Sequence, residues 1–319
     1  MKRIGVLTSG GDCPGMNPAI RAVVREGIDA GLEVVGFYRG YVGLIDNNFK
    51  VMGTNDVSGI IQRGGTILLT SRCEEFKSDA GIKKGKESLE KDNIDGLVVI
   101  GGDGSIRGAA ALADMEVKVV ALPGSIDNDI YGTDNSLGVD TALNNIVDAV
   151  DKIKDTASSH ERTFIIEVMG RECGYLAIAS AVATGADALV VPEVAFDLEG
   201  IATRFRNRYK EGKTSNIILV AEGADNAYHV GRELKKIAGI ESKITVLGHL
   251  QRGGSPTFFD RLLGSRLGAG AVEALLKGES GKMVGIKNRE TELTDFDKVL
   301  KGKRPVPKRL LELAEKLSR

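Results

Sequence analysis

The chain has 319 residues, 43 Lys and Arg against 44 Asp and Glu, three cysteines and no tryptophan, for a formal net charge of -1. That balance gives no global attraction to nucleic acid or to an acidic membrane surface. The cysteines (Cys13, Cys73 and Cys173) form no CxxC pair, which points to a reducing, cytoplasmic setting rather than a disulfide or zinc framework. The start MKRIGVLTSGGD is too short an apolar run for a signal peptide, and nothing nears the ~18 apolar residues of a membrane span. At about 100–200 residues per domain, the length predicts two domains.

In chain order, short apolar runs predict strands at Ile4–Leu7, Val34–Phe37, Leu97–Ile100, Val117–Leu122, Phe164–Val168, Ala188–Val191, Ile217–Ala221 and Ile244–Leu247. Most are rich in Val and Ile and apolar on successive residues, as parallel strands buried on both faces require. Amphipathic stretches lie between them. Asn17-Pro18 reads as a cap followed by Pro, with Ile20, Val23, Val24 and Ile28 on one face and Gly31 as the stop. Val139 to about Ile153 and Ile201–Glu211 are further helices, and the basic stretch Lys301–Arg309 reads as a solvated helix approach. Repeated strand–helix alternation implies a doubly wound α/β fold with mainly parallel sheets.

The 41 glycines are nearly twice the usual share of roughly 7%. Four Gly-Gly pairs stand out: Gly10-Gly11, Gly64-Gly65, Gly101-Gly102 and Gly253-Gly254. The first and third follow strand runs and precede helices, where an α/β sheet binds ligands. Glycine there brings backbone N–H groups close to an anion, and the helix N-terminus adds partial positive charge. Thr8–Asp12 and Gly101–Ser105 therefore read as phosphate loops. Gly212-Lys213-Thr214 is not a P-loop, because Asn207 stands at the required first glycine, and Arg107 breaks a GxGxxG pattern.

Asp103 sits between glycines at a strand end, and Asp127 and Asp129 follow the next strand. In an extended segment those two would point to the same side. Clustered carboxylates beside phosphate loops suit magnesium, which takes few protein carboxylates plus substrate phosphates. One carboxylate not spent on metal could take a proton from a hydroxyl nucleophile. Arg72, Arg162, Arg171 and Arg252 lie in strand-end or loop positions as phosphate clamps. His249 stands beside them, able to hydrogen-bond a sugar or phosphate, while His160 and His229 read as structural.

With these motifs assembled, the sequence closely resembles the bacterial ATP-dependent 6-phosphofructokinases. The resemblance runs through LTSGGDCPGMN at 7–17, GGTILLTSRCEEF at 64–76, VVIGGDGS at 98–105, PGSIDND at 123–129, DTASSHER at 155–162, EVMGRECG at 167–174, VAEG at 220–223 and VLGHLQRGGSPT at 246–257. It implies two Rossmann-like lobes with the chain crossing between them: 1–138 plus about 251–302 for ATP, and 139–250 plus about 303–319 for fructose 6-phosphate. It also implies a cytoplasmic glycolytic kinase that phosphorylates the 1-hydroxyl of fructose 6-phosphate with ATP as co-substrate and Mg²⁺, and that binds neither nucleic acid nor membrane.

Residue by residue, the resemblance makes Asp127 the general base and Asp103 the magnesium residue, with Asp129 second to it. Gly11, Tyr41, Arg72, Cys73, Gly102, Asp103, Gly104 and Ser105 match ATP contacts, and Arg72 and Arg171 would stabilise the transferring group. Ser125, Ile126, Asp127, Met169, Gly170, Arg171, Glu222, His249, Leu250, Gln251 and Arg252 match the sugar-phosphate site. Arg162 and Lys243 match positions that reach the 6-phosphate from a neighbouring subunit, implying a homotetramer.

Pyrophosphate-using relatives carry Asp and Lys where this chain has Gly104 and Gly124, which favours ATP as donor. Other kinases of NAD or diacylglycerol type share GGDG but lack PGSIDND and QRGGSPT, and a silent sugar-phosphate binder would need no base. Ser125 replaces the usual Thr and keeps the hydroxyl. Lys243 replaces Arg and loses the bidentate fork. Arg21, Arg25, Lys154, Gly185 and Lys213 match the family's effector site. However, Asp187 replaces Glu, Glu211 replaces Arg, and Thr214 and Ser215 replace a Lys-His pair, so like-charge repulsion is expected to weaken effector binding. Cys73 reads as a small packed residue rather than a reactive thiol.

Overall fold

The computed structural model describes residues 1–318. Its elements are β1 Arg3–Ser9, α1 Met16–Asp29, β2 Glu33–Phe37, α2 Tyr41–Ile45, β3 Phe49–Val51, α3 Asp79–Lys91, β4 Gly96–Gly101, α4 Asp103–Asp114, β5 Val119–Pro123 and α5 Val139–Ser159. There follow β6 Thr163–Val168, α6 Tyr175–Thr184, β7 Ala188–Val190, α7 Leu198–Lys210, β8 Asn216–Ala221, α8 Ala227–Ala238 and β9 Ser242–Val246. The chain ends with α9 Phe258–Leu276, β10 Lys282–Lys287, β11 Glu290–Asp295, α10 Phe296–Lys301 and α11 Lys308–Leu317. Among the described residues no helix is long and apolar enough to cross a membrane.

The chain divides into two compact units. One comprises Met1–Ile126, Ile130–Thr141 and Arg252–Arg304, and the other Asp127–Asp129, Ala142–Gln251 and the chain from Pro305 onward. The first unit holds a sheet in the order β11-β10-β5-β4-β1-β2-β3. Its central pairings are parallel, and only the edges β3 and β11 run antiparallel. The second unit holds an all-parallel sheet in the order β7-β8-β6-β9. All eight apolar runs form strands. The three strands without such a signal are the antiparallel edge pieces β3 and β11, and β10, which joins β11 to the sheet.

Both cores follow from that burial. In the first unit Leu7, Val35, Leu97, Val99 and Ala121 of the sheet pack with Ile106 and Leu112 of α4. In the second, Ile165, Val190, Ile218 and Val220 pack with Phe205 of α7 and Val230 of α8. Helices α1 and α9 approach closely through small residues. A Cβ on Gly264 or Gly268 would lie 2.7 Å from the Gly15 carbonyl or 2.6 Å from the Ala19 carbonyl.

Asn17 does not cap α1. The cap is Gly15, at φ 106, and the Asn17 side chain is buried inside the first turn of the helix. There it donates to the carbonyls of Arg63 (3.0 Å) and Gly64 (3.2 Å) and accepts from Ile67 N (2.8 Å). Asp260, fully buried at the start of α9, closes the other side of this corner. Its carboxylate accepts from Gly138 N (2.9 Å), Thr141 N (2.8 Å) and Thr141 Oγ1 (2.6 Å), satisfying orphan amides at the start of α5. Burial pushes this carboxyl upward in pKa while the three donors pull it down.

Asp260→Asn would turn an NH₂ group toward N–H donors. The variant is expected to lose roughly 2–4 kcal/mol, in line with removing charged hydrogen bonds inside a core. Urea unfolding checks this, and an unchanged midpoint would remove Asp260 from the framework.

Candidate active site

In the first unit β1 and β4 lie side by side, and the chain leaves them in opposite directions, β1 toward β2 and β4 toward β5. Such a switch point opens a crevice at the carboxyl ends of the strands. Ser9 stands opposite Gly101 in the register, so the loops that start at Gly10 and Gly102 leave the sheet as neighbours. Gly10 adopts φ +83, and a Cβ on Gly101 would lie 2.4 Å from both the Ser9 carbonyl and Ser105 Oγ. No side chain caps α4 at Gly102. Its first amides are therefore turned outward where an anion is favoured.

Further segments are fastened to these loops. Thr70 Oγ1 donates to the Gly10 carbonyl at 2.7 Å and Ser71 Oγ to the Arg39 carbonyl at 3.1 Å, which carries exposed Arg72 and half-buried Cys73 to the same rim. Arg252 Nη1 donates to the Asp12 carbonyl at 3.2 Å. A Cβ on Gly11 would come within 2.5 Å of that nitrogen. The other two Gly-Gly pairs meet through Gly64 and Gly254. A Cβ on Gly64 would lie 2.2 Å from the Gly254 carbonyl, so glycine there allows two backbones to touch.

Asp103, half-exposed in the first turn of α4, pairs with Arg107 (Nε to Oδ2, 2.8 Å). Arg107 is a site neighbour that the phosphate-loop motifs do not include, although its i,i+4 spacing from Asp103 signals the pair. Among the described residues no group of three or more His, Cys, Asp or Glu could hold a metal ion. A lone reachable carboxylate at a phosphate loop still fits magnesium, which completes its shell with phosphate oxygens and water. Ser125 is half-buried and Ile126 fully buried, so Ile126 can meet a ligand only through its backbone. Ser105 is also buried, and Tyr41 is only 4% exposed. Its hydroxyl donates to the Ser105 carbonyl at 2.6 Å. Tyr41 thereby ties α2 to the first turn of α4.

Asp127 and Asp129 do not lie on an extended segment. Asn128 between them is buried at φ 54, a left-handed conformation that Asn tolerates. The alternation that would point both carboxylates one way is therefore lost: Asp127 is half-buried and Asp129 exposed.

In the second unit the matched residues gather beyond the carboxyl ends of β6 and β8. Glu222 N donates to the Val168 carbonyl (2.9 Å) and Gly223 N to the Gly170 carbonyl (3.1 Å). Exposed Arg171 pairs loosely with Glu222 at 3.5 Å. Gly170 takes φ +133, where a Cβ would strike the Cys173 carbonyl at 2.5 Å. Gln251 is buried and accepts from Met169 N at 3.0 Å, so it holds the Met169 loop rather than facing solvent, whereas His249 and Leu250 are exposed.

Arg162 and Lys243 are elsewhere. They sit at the amino ends of β6 and β9, on the rim of a cavity of about 1020 Å³ bounded by α7 and α8. Met169–Arg171 lie at the opposite end of β6, about 20 Å away along a six-residue strand. Within one chain the two groups do not meet.

Several of the residues matched to an effector site already have polar partners. Asp187 is buried, accepts from Ile217 N (2.8 Å), and pairs with Arg208 at 3.0 Å and with Lys213. Lys154 donates to the Thr184 carbonyl, and Thr214 Oγ1 bonds Glu161 at 3.1 Å. Glu211 and Arg25 are exposed, Arg21 and Ser215 half-buried, and Gly185 adopts φ +60. Asp187 is thus an internal counter-ion that occupies two cations, not a free negative charge facing a ligand.

A family model described as Phosphofructokinase matches residues 3–275. The chain is 54% identical to the ATP-dependent 6-phosphofructokinase of Halalkalibacterium halodurans over 318 residues, covering 100% of both chains. It is 52% identical to the enzyme of that name from Thermotoga neapolitana over 319 residues, again at 100% of both. Among solved structures it is similar to Pichia pastoris phosphofructokinase in the T-state, at TM-score 0.89 and 37% identity. That likeness covers 94% of this chain but only 35% of the longer yeast chain. A pyrophosphate-dependent phosphofructokinase from Marinobacter aquaeolei matches at TM-score 0.86 with 19% identity over 99% of this chain and 91% of its own, a likeness of fold.

Proposed function

This chain belongs to the phosphofructokinase family, and on that footing we propose that it transfers the γ-phosphoryl group of ATP to the 1-hydroxyl of fructose 6-phosphate, giving fructose 1,6-bisphosphate and ADP in glycolysis. The observation that carries the reading is the pair of glycine loops at the β1/β4 switch point, flanked by Arg72 and by Asp103. The first unit takes ATP and the second the sugar phosphate.

Asp127 accepts the proton of the 1-hydroxyl as that oxygen bonds to the γ-phosphorus. The bond from phosphorus to the bridging oxygen breaks, and its electron pair leaves with ADP. Arg72 and Arg171 stabilise charge on the group in flight. Asp103 would hold a magnesium ion, with exposed Asp129 as a second contact; the metal would neutralise phosphate charge. Ser125, Met169, Gly170, Glu222, His249 and Arg252 bind and orient the sugar phosphate, and buried Gln251 steadies the Met169 loop. The position of Arg162 and Lys243 at the far ends of their strands supports their serving a neighbouring subunit's 6-phosphate in a homotetramer.

The first test combines turnover with subunit mixing. Asp127→Ser is expected to cut turnover about 10²–10⁴-fold, the worth of a general base, with sugar-phosphate binding by calorimetry near wild type. Mixing it with inactive Arg162→Ser subunits should restore activity above either parent, because hybrids contain sites with both residues intact. Full turnover by Asp127→Ser would sink the base, and no recovery on mixing would sink the shared site.

Gly104 has open space around its Cβ position and no positive φ, so the fold does not require glycine there. Gly104→Asp should therefore unfold at the wild-type temperature while losing most ATP-dependent rate. A variant equally active with ATP would break the donor assignment, as would a faster wild-type rate with pyrophosphate.

Effector control is expected to be blunted, because Asp187 already occupies Arg208 and Lys213. Initial-rate curves with phosphoenolpyruvate and ADP check this. Strong sigmoidal inhibition by the first, relieved by the second, is the contrary outcome.

A further inference from the structure

In the second unit the loop Met169–Gly174 leaves β6, opens α6, and is held by the exits of the three other strands. β6, β7, β8 and β9 are parallel in one sheet, so all release their chains at the same end. Gln251, beyond β9, accepts from Met169 N at 3.0 Å, and Gly223, beyond β8, donates to the Gly170 carbonyl at 3.1 Å. The third anchor is Glu193, shortly beyond β7. Its Oε1 accepts from Gly174 N at 2.6 Å. Gly174 is the cap of α6 and has no side chain to offer that helix.

A Cβ on Gly174 would lie 2.5 Å from Glu193 Oε2 and 2.7 Å from Val191 Cγ1, so glycine is what lets this carboxylate reach the backbone. Oε2 itself is buried and, among the described residues, has no hydrogen-bond partner. An unmatched carboxylate oxygen in the interior is unfavourable. Stability alone therefore does not account for a glutamate here, and the loop that it holds does. Between the second and third anchors only Arg171, Glu172 and Cys173 remain. They turn so tightly that a Cβ on Gly170 would strike the Cys173 carbonyl at 2.5 Å. Arg171 is exposed and reaches Glu222 at 3.5 Å.

We infer that Glu193 is a positioning residue for the sugar-phosphate site: by fixing Gly174 N it fixes the backbone of Arg171, and with it the direction of that guanidinium. The inference rests on the kinase reading of this site and goes beyond it, since neither the motifs nor the matched positions include Glu193. A carboxylate that only supported the core would act on stability. One that sets Arg171 acts on sugar-phosphate affinity, and only while Arg171 is present.

Glu193→Ala is expected to weaken calorimetric binding of fructose 6-phosphate and raise its KM, each roughly ten- to hundredfold, the worth of one charge-assisted hydrogen bond. The KM for ATP should not change. Glu193→Gln keeps an oxygen acceptor and should restore both values. In an Arg171→Ala background, Glu193→Ala should weaken binding no further, as expected of two residues acting through one contact. Amide hydrogen exchange at Gly174 supplies a readout without substrate: it should quicken in Glu193→Ala and stay slow in Glu193→Gln. Should the alanine variant not fold, Glu193→Asp, one methylene short of the amide, carries the same comparisons. Inactivity of the wild type toward fructose 6-phosphate would defeat the kinase reading and still leave the exchange comparison to decide whether Glu193 holds the loop. In an active enzyme, unchanged sugar-phosphate affinity in Glu193→Ala would overturn the inference. So would an equal loss in the Arg171→Ala background, no recovery in Glu193→Gln, or a KM for ATP that rises by the same factor.

Discussion

The parallel pairing of β1 with β4 is the constraint from which the nucleotide side of the molecule follows. Parallel strands end on the same side, and the register that sets Ser9 against Gly101 makes their two exit loops neighbours. Once they are neighbours, little space is left between them for side chains. That is why Gly10, Gly11, Gly101 and Gly102 crowd this spot while the flanking cation and carboxylate, Arg72 and Asp103, stand at its edges. Gly101 is excluded from bearing a side chain by Ser9 and Ser105, and Gly11 by the guanidinium of Arg252. At Gly11 and Gly101, then, glycine answers local crowding.

In each unit, buried polar side chains do the fastening. Asn17 reaches from inside α1 to the 63–67 loop, Asp260 closes the start of α5, Gln251 holds the amide of Met169, and Asp187 gathers Arg208, Lys213 and Ile217 N. Each satisfies backbone or cationic groups that would otherwise lack a partner, which is the condition for a polar group to be tolerated in a core. With the loops fixed from within, Arg72, Arg171 and His249 stay exposed.

The sequence made the sheets legible because strands buried on both faces must be apolar on successive residues, and Leu97–Ile100 or Ile217–Ala221 admit little else. Edge strands carry no such obligation. β11, reading ETELTD, pairs along one side only and stays polar. Residue types also marked the glycine loops after β1 and β4 as candidates for phosphate, since glycine beside Asp at a strand end suits an anion. What stayed hidden was direction. Nothing in Asn17-Pro18 says that Asn17 faces the interior, and nothing in Asp127–Asp129 announces a left-handed Asn128. Gln251 matched a functional position by residue type, yet burial sets its side chain against the Met169 amide, and Tyr41 is buried as well. Side-chain orientation depends on tertiary partners that are tens of residues away, as with Asn17 and Ile67.

Strand polarity carries the remaining step. β6 bears matched residues at both ends, Arg162 before it and Met169 to Arg171 after it, and β9 likewise has Lys243 at its start and His249 beyond its end. A strand is rigid and keeps its ends apart, by about 3.3 Å per residue, so no rearrangement of loops within one chain folds Arg162 back onto Gly170. If both ends bind the same substrate, they bind it from different copies of the chain. Under the proposed reading, a change in how two copies meet moves Arg162 and Lys243 relative to a sugar phosphate held by another subunit, while each sheet stays unchanged. Substrate affinity then becomes a property of the assembly, adjustable without disturbing the β1–β4 pairing or the phosphate loops that depend on it.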